Sequence, residues 1–202
     1  MPTVNAVTFT IVGVSPLSFG RPIQTPREAG EDHNDYDQRV WRERCHTNGD
    51  KIFIPPTMMK KCVDAAAAQR KDAVPGKKGA TFTKFFLSGT MITDPIILHM
   101  PTDRGKLGPE LSVETVLKTP ERVYCNADGK KNSGTRVWRH FPHIPQWAGI
   151  VHMHILDPTL QSYAERIEEY AIGAGQFVGL GRWAPRVGGY YGRFNVIGFK
   201  AG

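Results

Sequence analysis

The chain has 202 residues, 40% hydrophobic and 22% charged, and its 26 Lys plus Arg against 19 Asp plus Glu give a formal net charge of +7. These proportions exclude collagen-like, low-complexity and disordered classes, and the length is enough to bury a core without covalent staples. No apolar stretch approaches the roughly 18 residues of a membrane span. MPTVNAVTFTIVGV lacks the basic start of a signal peptide, and three scattered cysteines, Cys45, Cys62 and Cys125, fit neither a zinc ribbon nor a disulfide framework. A cytoplasmic protein is expected.

Residues 4–14, VNAVTFTIVGV, alternate and are β-branched, as a strand is. Ser15-Pro16 and Gly20-Arg21-Pro22 break it. Residues 20–50 are polar and rich in Pro, Gly and acids, with one short helix expected around 36–46. So long a connection is usually functional or mobile. KIFI (51–54) is extended, and Pro55, Pro56 and Thr57 open a helix through MMKKCVDAAAAQRK. Met58, Cys62, Ala65 and Ala66 share one of its faces, and VPGKKG ends it. Residues 81–98 read as a hairpin or two short strands about Ser88-Gly89. Residues 101–135 show little periodicity and read as an insertion, flexible at DGKKNSG. RVWRHF and WAGIVHMHIL are strands within 136–156. Asp157-Pro158-Thr159 caps a second helix, with Leu160, Tyr163, Ala164, Ile167 and Ala171 at helical spacing. RFNVIGF (193–199) closes the chain as a strand. The order predicts an α+β protein with a ferredoxin-like, RRM-like βαββαβ core and long loop insertions. It is expected to be a single domain over 1–202, with an acidic insertion at about 20–50 and a basic one at 101–135.

Charge gives the first functional clue. Segment 28–43 holds six acids against two arginines, a net −4, so the rest of the chain is +11. Such an excess attracts polyanions, of which nucleic acid is the commonest. The second clue is the stretch 173–193. It carries seven glycines, among them Gly181, Gly188 and Gly189, interleaved with Arg182, Arg186 and Arg193 and with Trp183, Tyr190 and Tyr191. Glycine lets backbone approach a ligand, arginine grips phosphate, and aromatic rings stack on unpaired bases. The bland alternative is a flexible loop whose rings pack on the core. No phosphate-binding GxxxxGK[ST] loop is present, and the glycines follow a helix instead of opening one, unlike a dinucleotide fingerprint.

The pattern GLGRWAPRVGGYYGRF resembles the glycine-rich signature of the RAMP (repeat-associated mysterious protein) superfamily, which includes the RNA-coating backbone subunits and the RNA-processing endonucleases of CRISPR systems. TIVGVSPLSFGR resembles the first strand of that group with its turn ending in glycine, and IFIPPTMMKKCVDAAA resembles the start of its first helix. Pro56, Met59 and Lys61 depart from the small residues and the glycine usual there. The resemblance implies an RRM-like, RAMP-like domain that binds single-stranded RNA and assembles in repeating copies, with Lys60 and Lys61 touching the backbone. A stand-alone chain of this size fits a phage-encoded member, acting as a single-strand binder in replication or as an anti-CRISPR mimic working through protein contacts.

Three further constellations have weaker signals. In some RNA-cleaving backbone subunits of that group, an aspartate between the first strand and first helix cuts RNA with a metal; Asp32, Asp35 and Asp37 occupy a comparable loop, which makes a metal-dependent ribonuclease the alternative reading. The expectation is instead a solvated acidic loop, or one that meets the basic surface of a neighbouring copy. Of the seven histidines, His152 and His154 project from one strand face at a spacing that suits a metal, with no third ligand suggested by spacing. The segment DGKKNSGTRVWRH carries Lys130, Lys131, Arg136 and Arg139 with Trp138, and is equally a clamp on a strand or a solvated turn. The reading is therefore a non-catalytic binder of single-stranded RNA or DNA, RNA preferred, with no cofactor and no membrane. Its partners are that strand and either copies of itself or a related ribonucleoprotein complex.

Overall fold

The computed structural model describes residues 5–102, 106–126 and 134–202. β1 (Ala6–Gly13) buries Val7, Phe9 and Ile11 on one face and turns Thr8 and Thr10 to the other. The acidic segment follows as α1 (His33–Val40) and one 3-10 turn, then β2 (Thr47–Asn48) and β3 (Lys51–Ile54). α2 (Pro56–Arg70) starts on a proline, where a missing N–H costs nothing. It buries Met59, Cys62, Val63, Ala66 and Ala67 and stops at Lys71, which is left-handed with φ 52°.

Segment 81–98 departs from expectation. It opens as a helix, α3 (Phe82–Gly89), before β4 (Thr90–Met91) and β5 (Ile96–Ile97). Its aromatic and hydroxyl composition suits a strand, but Phe82 and Phe86 sit four residues apart and both pack edge-on against the second helical region. Their ring centroids lie 5.2 Å from Tyr163 and 5.3 Å from Tyr170. Tertiary packing thus overrides local propensity. The described parts of segment 101–135 carry regular structure, while DGKKNSG up to residue 133 lies outside the described residues. They run from β6 (His99–Pro101) through β7 (Leu107–Glu110) and α4 (Val113–Val116) to β8 (Glu121–Asn126). β8 pairs with β9 (Arg136–Phe141) as a two-stranded ribbon. β10 (Ala148–Ile155) alternates buried and exposed residues.

The second helix is in two pieces. α5 (Pro158–Gln161) is capped by Asp157, whose carboxylate accepts from the Thr159 N–H at 2.7 Å. After a break at Ser162 and Tyr163, α6 (Ala164–Gly173) begins and runs into a π-helical turn at 174–178. β11 (Phe194–Ala201) completes the chain.

The main sheet has the order β11-β1-β10-β6-β7, with β4 also on β10, and every pair is antiparallel. With β1, β4, β10 and β11 as the four strands and α2 and α6 as the two crossovers, this is the ferredoxin-like order 4-1-3-2. The core lies between one sheet face and the helices, where Phe9, Val151 and Met153 meet Met59, Val63, Phe86, Ile167 and Tyr170. The opposite face carries Thr8, Ile150, His152 and His154; the Thr8 hydroxyl lies 3.0 Å from His152 Nδ1.

Candidate nucleic-acid interface

The glycine-rich stretch folds against the turn that follows β1. That turn is pinned by buried Leu17 and Phe19, by reciprocal backbone bonds between Leu17 and Ile144, and by the Trp147 indole N–H, which donates to the Ser15 carbonyl at 2.9 Å. Onto it come the Arg182 N–H, donating to the Ser18 carbonyl at 2.8 Å, and the Gly192 N–H, donating to the Pro16 carbonyl at 2.8 Å. Gly181 and Gly192 have φ of 75° and 70°, and a Cβ on either would overlap the Ser18 or Leu180 carbonyl. Only glycine fits both the angle and the approach. α2 joins from below, its Cys62 Sγ lying 3.3 Å from the Gly179 carbonyl. The three segments that carry the sequence signature therefore converge on one place.

The loop is ordered by its own bonds, and this decides which side chains stay outside. Arg182 is committed. Its guanidinium donates to Glu121 at 2.6 Å and to the Ser18 hydroxyl at 3.2 Å, and lies over the Phe141 ring at 3.6 Å and the Trp183 ring at 4.4 Å. Burial lowers its pKa, against the pull of Glu121. The Tyr191 hydroxyl donates to the other Glu121 oxygen, and burial followed by that carboxylate pushes its pKa up to about 12. Arg186 and Arg193 are exposed, each touching one backbone carbonyl, that of Gly179 and of Gln176 respectively. Trp183 and Tyr190 are exposed at 46% and 61% and, with Val187, Gly188, Gly189 and Tyr191, line an open depression of about 510 Å³. Trp183 holds a φ of 48°, a conformation a bulky residue keeps only when its surroundings impose it. Its carbonyl accepts the Tyr191 N–H at 3.1 Å.

The β8–β9 ribbon stands on this loop. Glu121 and Phe141, paired at its root, receive Arg182. From the other side the root is held by Asp37 of α1, which is fully buried. Asp37 accepts from Arg44 at 2.5 Å, from Arg139 at 3.4 Å and from the His140 backbone N–H. The Arg44 guanidinium also lies over Phe141 at 4.9 Å. Two carboxylates thus fix the ribbon from opposite sides. Its exposed face carries a ladder: Arg122 over Trp138 at 4.3 Å, Trp138 beside Tyr124 at 5.1 Å, and Arg136 over Tyr124 at 4.6 Å. Arg122 and Tyr124 were not expected from the sequence. Their signal is the spacing of two in ERVYCN, matched by Arg136 and Trp138 across the ribbon, and it is hidden in a segment that reads as an insertion. Lys130 and Lys131 lie outside the described residues.

The remaining candidates go elsewhere. Lys60 donates to Asp64 at 2.5 Å and to the Leu87 carbonyl at 3.2 Å, while its neighbour Lys61 is exposed. Asp32 caps α1 through the Asn34 and Asp35 N–H groups, which hold its pKa below the ordinary value. Asp35 is exposed and Asp37 is the buried clamp just described, so the three aspartates do separate jobs. Among the described residues no three His, Cys, Asp or Glu side chains gather as a metal would need, and no helix is long and apolar enough to cross a membrane.

No protein-family model matches the sequence, and no curated protein does. Among solved structures, the crystal structure of Cmr6 from Pyrococcus furiosus is similar over 97% of this chain and 100% of its own, at 13% identity and a TM-score of 0.46. At that identity and superposition the likeness bears on neither substrate nor partner. The ferredoxin-like sheet implied by the RAMP resemblance is nonetheless present in this chain's own strand order.

Proposed function

We propose that this protein is a non-catalytic, RAMP-type binder of single-stranded nucleic acid, RNA in preference to DNA, and that copies of it line up along the strand. The observation that carries the reading is the pairing of exposed cations with exposed rings on one anchored unit. Arg186, Arg193, Trp183 and Tyr190 lie on the glycine loop, and Arg122, Arg136, Tyr124 and Trp138 on the ribbon rooted in it. Rings accept any base by stacking, and arginines follow the phosphates, so such a surface suits an unpaired strand better than a duplex. Rigidity contributes as well, because a preformed loop loses little freedom on binding.

Cleavage through Asp37 is not favoured. A carboxylate that already accepts from two arginines and a backbone N–H, as Asp37 does, has little capacity left for a metal. The test is fluorescence anisotropy with labelled single-stranded RNA, single-stranded DNA and duplex across a salt series. Single strands should bind more tightly than duplex and weaken steeply with salt, and Arg186→Ala/Arg193→Ala should lose about tenfold or more without a change in Tm. Absence of binding to any strand at low salt contradicts the reading.

A further inference from the structure

Away from the glycine loop, the helical side carries a second concentration of positive charge that the proposed interface does not use. The turn between α2 and α3 is a compact unit. The Val74 N–H donates to the Ala80 carbonyl at 2.9 Å, the Ala80 N–H to Lys77 at 3.1 Å, and the Phe82 N–H to Asp72 at 2.9 Å. This turn sets Lys77 and Lys78 on the surface beside Lys84 of α3, and all three are exposed. The ammonium groups of Lys77 and Lys84 lie 5.0 and 4.8 Å from the centroid of the same ring, that of half-buried Phe85. Lys77 is steadied further by a 3.1 Å bond to the Thr159 hydroxyl at the start of α5.

The neighbouring acids are already engaged. Asp72 pairs with Arg70 at 2.9 Å, and Asp157 caps α5. The lysines that do pair with carboxylates among the described residues are Lys51 and Lys60, not these three. Like charges gathered without counter-charge repel one another, and a ring beneath them adds only a modest attraction. A polyanion would relieve that repulsion.

We infer that Lys77 and Lys84, which share the Phe85 ring, together with the adjoining Lys78 form a second phosphate-backbone site for a strand that also occupies the glycine loop. This rests on the single-strand reading proposed above. The two places are joined by α2. Cys62 touches the loop and Arg70 adjoins the lysine turn, a separation of about 12 Å along the helix. One nucleotide cannot reach both, so the second site is felt only by strands longer than the loop alone accommodates.

The test compares an oligonucleotide of about 6 nucleotides, near the lower end of the usual footprint of a small single-strand-binding fold, with one of about 24, beyond its upper end. Lys77→Gln/Lys78→Gln/Lys84→Gln should weaken the longer strand about tenfold. It should also reduce the steepness of the log–log salt dependence by about 2, at roughly 0.7 per phosphate contact on single strands, and leave the shorter strand unchanged. A charge-matched control, Arg27→Gln/Lys118→Gln/Lys200→Gln, alters exposed cations elsewhere and should have a much smaller effect. Unchanged binding of the longer strand by the lysine variant, while wild type binds it, overturns the inference and leaves the loop reading standing. So does an equal loss in the control, which would mean general charge and not a site. If wild type binds neither strand, both readings fall together.

Discussion

The glycine-rich stretch and the acidic segment are the two regions whose composition stands out most, one in glycine, arginine and aromatic residues and the other in acids, and they use their charge differently. In the acidic segment most charge is used at home. Arg39 holds Glu31 at 2.7 Å, Glu43 accepts from Gln24 and Thr25, Asp32 caps a helix and Asp37 is clamped. In the glycine-rich stretch only Arg182 is consumed, while Arg186, Arg193, Trp183 and Tyr190 remain outside. Net charge alone would rank both regions as interaction surfaces. What separates them is whether the charge already has a counter-charge inside the fold: Arg186 and Arg193 each touch only a backbone carbonyl.

The sharpest way to break this comparison is at the clamp itself. Asp37→Ala leaves Arg44 and Arg139 facing a gap at the root of the ribbon, and losing one member of a buried ion pair typically costs about 3–5 kcal/mol. Chemical denaturation should report a loss of that size, with strand binding weakened only as far as the ribbon loosens. A loss under about 1 kcal/mol would show that the clamp is ornamental and the segment an ordinary solvated loop. Next in size is the ladder. Trp138→Ala should weaken single-strand binding by about 1–3 kcal/mol, the usual worth of one base–aromatic stack, while duplex affinity stays put. An equal loss on duplex would move the ladder from base recognition to ribbon stability. The smallest effect belongs to Asp32→Ala, which removes a helix cap and should lower Tm by a few degrees with affinity unchanged. A gain in affinity there would instead mean that the acidic segment competes with the strand for the basic surface.

The strand–helix frame was legible because β1, α2, β10 and β11 carry unambiguous signals: alternation of Val7, Phe9 and Ile11, a proline-started helix, and a terminal strand after glycines. α3 was not, since whether aromatic residues run as strand or helix is decided by Tyr163 and Tyr170, which are distant in sequence. The break between α5 and α6 was hidden for a similar reason, because Leu160 and Ile167 keep helical spacing across it. At the candidate site, the glycines and exposed rings of 179–193 were readable by composition. The division of labour among its arginines was not. Arg182, Arg186 and Arg193 look alike in sequence, and only the long-range arrival of Glu121 and Phe141 consumes the first. The Arg122–Trp138 ladder is not legible in the sequence because a strand flanked by Pro, Gly and Lys reads as loop until its partner is known.

On the proposed function, the arginines of the glycine loop divide into one that holds the fold and two that meet the strand. The direct measurement sets Arg182→Ala beside Arg186→Ala/Arg193→Ala, recording Tm and single-strand affinity for each. Arg182→Ala should lower Tm sharply, and the double variant should keep the wild-type Tm while losing about tenfold or more in affinity. A double variant that binds as wild type does, or an Arg182→Ala protein that keeps its Tm and loses binding alone, would contradict that division.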